Sequence, residues 1–311
     1  MIEIIKNKTE IKFTGMFGIT AVISTVLVLS SLFLIFSKMK YGVDFRGGAE
    51  VQVKFADSVT VKDIRNSLSA AGFEGASVQT IGDESDHEVL IKVQAKEGEL
   101  NQVEAKLEEN LEKTFGSDQV EVRKVDIVGP KAGAELRVSG FQAMGYALIA
   151  IMVYIGLRFD FKYSPGAIGA LFHDVSIILG IFALTGTEFT LQTVAALLAV
   201  IGYSVNDTVI VYDRVRENEI NMPGKTLAEQ IDRSVNETLS RTVLTSGTTL
   251  FISGAMFIFG GAAIKSFFFA ITLGVLVGTY SSIFVAAPIT LLFDRLFGES
   301  SSRVAKKASQ H

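Results

Sequence analysis

Six stretches of this chain stay apolar for about as long as a helix needs to cross a lipid bilayer, at 15–36, 139–157, 166–186, 190–212, 242–260 and 266–293. About 20 mostly apolar residues span the roughly 30 Å hydrocarbon core. The first run is too long for a cleaved leader, and no small-residue cleavage signal follows it. The chain therefore reads as an α-helical polytopic membrane protein with six transmembrane helices. Soluble-enzyme readings fall away.

Composition narrows the chemistry further. Cysteine is absent, which removes disulfides, thiol nucleophiles and iron–sulfur clusters. His87, His173 and His311 are scattered without metal-ligand spacing, so no metal site and no catalytic set is expected. The net charge is −4, and no basic block argues for nucleic acid. Lysine and arginine are unevenly placed. Lys6, Lys8, Lys12, Arg158, Lys162, the basic residues between Arg214 and Arg241, and Arg295, Arg303, Lys306 and Lys307 fall on one side of the spans; the two short loops opposite hold only Lys265. By the positive-inside bias, both termini are cytoplasmic and the long segment between the first two helices is extracytoplasmic.

That segment, 39–138, reads as a folded α+β domain, set between a first unit at 1–38 and a five-helix bundle at 139–297, with a cytoplasmic tail at 298–311. Val51, Val53 and Phe55 alternate as a strand, as do Val89, Ile91 and Val93, and 76–81 forms another. Thr60 and Asp63 announce a helix before Ile64 and Leu68, and Leu100, Val103, Leu107 and Leu111 mark a second helix over 97–115. Val120 and Val122, then Val125 and Ile127, predict a last strand with a shift of register. The order β-α-β-β-α-β is the ferredoxin-like split motif. Between the fourth and fifth spans, Thr226 and Glu229 form a capping box. Leu227, Ile231, Val235 and Leu239 then predict an amphipathic helix near 226–240 at the membrane surface.

Within the fourth apolar run, 189–212, Asp207 is the single charge. A charge at the bilayer centre costs roughly 2.5–3.5 kcal/mol even on lenient insertion scales, and such residues mark ion or proton pathways. Counting at 1.5 Å per residue puts Asp207 about 9 Å, and Asp174 on the preceding span about 12 Å, inside the cytoplasmic end. Arg241 opens the fifth span, so the three are expected in one layer, with Asn206, Thr245 and Ser246 as supporting hydrogen-bonding groups. Burial favours a protonated acid and a nearby arginine the ionised one, so a carboxylate balanced between them can switch. Moving one proton down the membrane potential yields about 2.3 kcal/mol per 100 mV, comparable to the cost of the buried charge. A static Asp–Arg pair that only fixes helix packing is the alternative. His173, next to Asp174, points about 100° away around the helix and is not expected to carry protons. Gly274 and Gly278 form a GxxxG pair suited to close helix packing.

These residues also carry a family likeness. Val43-Asp44-Phe45-Arg46-Gly47-Gly48, Val128-Gly129-Pro130, Gly202 to Thr208 continuing through Tyr212-Asp213-Arg214, and Asn236 to Thr242 resemble the motifs of the SecD/SecF family, the fourth-span stretch its SecF branch in particular. The resemblance implies half of an RND-type transporter that pairs with a SecD half. It implies work beside the SecYEG channel, with YajC, on translocating preproteins in the bacterial plasma membrane. Asp207 and Arg241 would then couple transport to a proton gradient, with Na⁺ as the alternative ion and no other cofactor. Asp44, Arg46, Gly47 and Gly48 would join the domain base to the membrane, or form a plain turn with a local Asp–Arg contact. Two other functions compete. An efflux half-transporter would ordinarily carry much larger outer domains, and a structural scaffold would tolerate neutral replacement of Asp207.

Overall fold

A computed structural model of the protein describes residues 9–82, 84–94 and 100–298. Lys6, Lys8, residues 97–99 of the expected domain helix and the tail from 299 lie outside the described residues. Among the described residues, six helices are long and apolar enough to cross a membrane: Phe13–Lys38, Pro130–Arg158, Phe161–Thr185, Leu191–Asn221, Leu227–Phe259 and Ala263–Phe297. We call their regular portions α1 (Phe17–Lys38), α5 (Pro130–Arg158), α6 (Ser164–Thr185), α7 (Leu191–Asn221), α8 (Leu227–Phe259) and α9 (Ala262–Ser281). A π-helical segment, Ser282–Ala286, continues α9 into α10 (Ala287–Phe293). Pro288 stands in the first turn of α10, where its missing N–H cannot close a regular α-helical bond to Phe284.

Three of these helices outrun the apolar text. α5 begins at Pro130 rather than near 139, because Gly129 and Pro130 form a helix start in front of a polar first turn. α7 continues to Asn221, nine residues past Tyr212. The expected surface helix near 226–240 and the fifth span are one continuous helix of 33 residues, starting from the Thr226–Glu229 capping box. At 1.5 Å per residue this is about 50 Å, well beyond a 30 Å core. The amphipathic stripe does not lie on a membrane surface: Ile231 and Val235 are buried in the bundle core with Tyr163, Val211, Tyr212 and Val215. A polar clamp holds the protruding ends of α7 and α8 together. Glu237 accepts from Arg214 Nε and from Arg233 Nε, both at 2.5 Å, and from Asn218 Nδ2 at 3.1 Å. Thr14, ahead of α1, donates its backbone N–H and hydroxyl to Asp232 on α8 at 2.8 and 2.7 Å.

The inserted domain is the expected ferredoxin-like unit. β1 (Gly48–Phe55), α3 (Val61–Ala70), β2 (Ser77–Ile81), β3 (Glu88–Val93), α4 (Leu100–Phe115) and β4 (Val120–Val128) form a sheet of order β2-β3-β1-β4. All three pairings are antiparallel. Alternate residues of β1 and β3 are buried against Ile64 and Leu68 of α3 and Val103, Leu107 and Leu111 of α4. The register shift in β4 is present, falling where Gln52 and Val53 of β1 face Lys124 and Val122.

The joint between domain and bundle is the Asp44–Gly48 motif. Val43–Arg46 forms one helical turn, α2, and the Asp44 carboxylate accepts the Leu191 N–H at 2.9 Å, capping α7. Asp44 thus serves the neighbouring helix, not a local contact with Arg46. Phe45 is buried beside Phe189, ring centroids 5.3 Å apart. Gly47 has φ +83°, and a Cβ there would lie 2.7 Å from Pro130 Cα. Gly48 has φ +147°, with Val93 O only 2.2 Å from a built Cβ. The two glycines are required by backbone conformation and by contact at once. A second tie is Lys92 on β3, which bridges Glu50 at 3.2 Å and Glu188, in the α6–α7 connection, at 3.4 Å.

Two predictions follow from the joint. Gly47→Ala should destabilise the folded chain by roughly 1–3 kcal/mol, read as a lowered thermal midpoint in detergent, because it adds strain and a backbone clash; an unchanged midpoint contradicts this reading. Lys92→Met should loosen the domain edge by on the order of 1–3 kcal/mol, read as faster amide exchange along β2 and β3. Burial pulls the Lys92 ammonium down, but Glu50 and Glu188 outweigh it and hold it above the ordinary 10.5. Its contribution is therefore complete below pH 10.5 and lost only as pH rises through the raised value.

Candidate proton-coupling site

The site is set by how closely α7 and α9 approach. A Cβ on Gly274 would sit 2.2 Å from Val200 Cγ2, and one on Gly278 would sit 3.2 Å from Ser204 Cβ. The GxxxG pair therefore presses α9 against α7, as the sequence pattern suggests. This contact brings hydroxyls from α9 and α8 between two buried carboxylates.

Asp207 is 1 % exposed and accepts a hydrogen bond from Ser246 Oγ on α8 at 3.4 Å. Ser246 in turn accepts from Tyr203 Oη at 3.2 Å and from Thr279 Oγ1 of α9 at 2.7 Å. Asp174, also 1 % exposed, is held on α6 by three donors: Ser204 Oγ at 2.6 Å, Ser281 Oγ at 2.8 Å and His173 Nδ1 at 3.0 Å. Ser204 lies one turn before Asp207 on α7. The two acids thus belong to adjoining hydroxyl networks.

Other expected partners stand elsewhere. Arg241 is exposed on α8 and, among the described residues, forms no ion pair, so the alternative of a static Asp207–Arg241 pair has no salt bridge behind it. Asn206 is exposed on the outer side of α7. Thr245 spends its hydroxyl on the Arg241 and Thr242 carbonyls of its own helix, both at 3.0 Å. The expected layer of Asp174, Asp207 and Arg241 is therefore two buried acids and one outward-facing cation. Asp213 and Arg214 lie on the protruding end of α7, Asp213 3.6 Å from Arg158 and Arg214 in the clamp with Glu237. His173, expected to point away from Asp174, hydrogen-bonds to it. Sequence reasoning also passed over Ser204, Thr279 and Ser281, whose only signal is a hydroxyl inside an apolar run.

Comparison with known proteins agrees with this architecture. Residues 106–295 match the family described as protein export membrane protein SecD/SecF, C-terminal, and residues 32–59 match its GG motif. The chain belongs to the SecD/SecF family. It is 42 % identical over 272 residues to the protein translocase subunit SecF of Desulfurispirillum indicum, covering 85 % of this chain and 86 % of that one. It is 39 % identical to the SecF subunit of Vibrio alginolyticus, covering 94 % and 92 %. The crystal structure of SecDF, a translocon-associated membrane protein from Thermus thermophilus, superposes with a TM-score of 0.82 at 33 % identity. That match covers 94 % of this chain but 40 % of the SecDF chain. SecDF in its super-membrane-facing form matches with a TM-score of 0.69 at 34 % identity, covering 98 % and 40 %. The GG-motif match spans the joint at Asp44–Gly48, and the C-terminal match spans Gly129, Pro130 and the α7–α8 region that holds Asp207.

The α7–α9 contact yields its own test. Gly274→Ala should cost roughly 1–3 kcal/mol through overpacking and pull Thr279 and Ser281 away from their acceptors. The check is thermal unfolding in detergent, where an unshifted midpoint would show that the close approach is not needed.

Proposed function

We propose that this chain is the SecF half of a protein translocase, pairing with a SecD half and using the proton-motive force to assist preprotein movement beside SecYEG, with YajC as an accessory partner. In this reading it is a multi-pass protein of the bacterial plasma membrane with cytoplasmic termini, its ferredoxin-like domain extracytoplasmic. It carries no chemical active site.

One observation supports this most: a buried Asp207 sits behind an outer face that carries Asn206, Arg241 and Thr248, all exposed in the isolated chain. An arginine facing hydrocarbon costs roughly 2.5–3.5 kcal/mol, so such a face calls for a polar protein surface against it. A SecD half is the natural occupant, since the matched SecDF chain is 2.5 times as long as the part this chain covers, from the 40 % coverage. Asp207 would then gain or lose a proton when water reaches it along that seam, with Arg241 as the fixed positive charge that responds to its state. The relay to the outer domain would run through the Asp44 cap on α7, the helix that also carries Asp207.

Asp207→Asn should abolish the proton-gradient-dependent part of preprotein translocation in membrane vesicles while leaving assembly with the partner intact. Normal gradient-dependent translocation would contradict coupling through this residue. Arg241→Lys keeps the charge and loses the planar fork, and should impair rather than spare the reaction if the fork is used.

A further inference from the structure

The buried group that the coupling reading leaves unused is His173. The residue is 2 % exposed, and its ring stacks on Tyr280 of α9 with centroids 5.9 Å apart and planes 26° apart. Nδ1 lies 3.0 Å from Asp174 Oδ1. An ionised carboxylate only accepts, so with Asp174 ionised Nδ1 donates, and Nε2 of the neutral ring is then a bare lone pair. Nε2 is buried and has no hydrogen-bond partner. Leaving such an acceptor unpaired costs about 1–3 kcal/mol. Asp174 Oδ2 is already occupied by Ser204 and Ser281. Nε2 is therefore the atom of the cluster left without any hydrogen-bond partner.

The surroundings hold few competing charges. From α9 the ring faces Tyr280, whose hydroxyl is engaged with Ser24 Oγ at 3.0 Å and the Thr20 carbonyl at 3.4 Å on α1. From α7 the cluster meets Ser204, with Asp207 one turn beyond, and Arg241 of α8 is exposed. The described ion pairs bring no lysine or arginine to His173 or Asp174. The His173–Asp174 pair carries net charge −1 with the ring neutral and zero once one proton is added, so adding a proton removes a charge from a buried site.

We propose that His173 and Asp174 form a second proton-binding site within this chain, distinct from Asp207. A proton arriving on water bonds to Nε2, the Nδ1 proton crosses to Asp174 Oδ1, and the water leaves neutral. The result is a neutral histidine of the other tautomer beside a protonated acid, or an imidazolium–carboxylate pair before the crossing. Either way one proton is gained. Ser204 then reports the loaded state to α7, one turn from Asp207. The role in transport rests on the proposed proton coupling; the proton binding itself does not.

The test is nitrogen NMR on the full chain, labelled with ¹⁵N-histidine and reconstituted with its partner half, with the His173 signals assigned by their loss in His173→Asn. The site predicts that Nε2 of His173 gains a proton in one pH-dependent step, Nδ1 keeping its own proton in the imidazolium form and losing it in the crossed form, and that this step persists in Asp207→Asn. A ring that keeps one neutral tautomer across the pH range where the protein stays folded would overturn the proposal. It would leave the Asp207 reading standing. His173→Asn also keeps a donor where Nδ1 stands while removing Nε2. It should assemble normally yet shift the pH profile of gradient-driven translocation; a wild-type profile would overturn the site's role in transport, and the NMR step decides the proton binding separately.

Discussion

The close contact between α7 and α9 is what the buried chemistry depends on. Because Gly274 has no side chain, Val200 fills the space a Cβ would take. α9 then comes near enough for Ser281 to reach Asp174, and for Thr279 to reach Ser246 and through it Asp207. For a carboxylate buried among helices, losing its donors leaves a costly unpaired charge. Helix packing and electrostatics are therefore one problem here: two glycines admit the hydroxyls, and the hydroxyls make two buried acids tolerable.

The same economy appears at the outer joint. Asp44 caps α7, Gly47 lies against Pro130 at the start of α5, and Gly48 opens β1. One short motif touches the helix that bears Asp207, the helix that returns the chain to the bundle, and the central strand of the inserted sheet. A shift in α7 has a direct mechanical route to the domain. The Lys92 bridges to Glu50 and Glu188 hold the opposite side of that contact.

Much of this was legible in the sequence, for physical reasons. Apolar length fixes how many helices cross a bilayer, and strict alternation with a local register shift fixed the ferredoxin-like order of Val51, Val89 and Val120–Val128. Helix ends were not legible from hydropathy, because the backbone keeps its own hydrogen bonds after the apolar residues stop. α7 and α8 run on together, clamped by Arg214, Asn218 and Glu237. Asp207 and Ser246 were found because a lone charge in an apolar run stands out. His173 was misjudged because angular separation around a helix ignores side-chain reach. Ser204 and Ser281 were missed because a serine in a membrane helix also bonds its own backbone, as Ser281 does to the Gly278 carbonyl at 3.2 Å. Arg241 needed the fold: only packing shows that it faces outward, away from a pair with Asp207.

The central claim is that Asp207 changes protonation as the proton gradient is used. The most direct measurement is infrared difference spectroscopy on the complex with its partner half in proteoliposomes, following the protonated-carboxyl band that disappears in Asp207→Asn. The account predicts that imposing a proton gradient during preprotein translocation changes the intensity of that band. A band that stays constant with and without the gradient, while translocation proceeds, would contradict it.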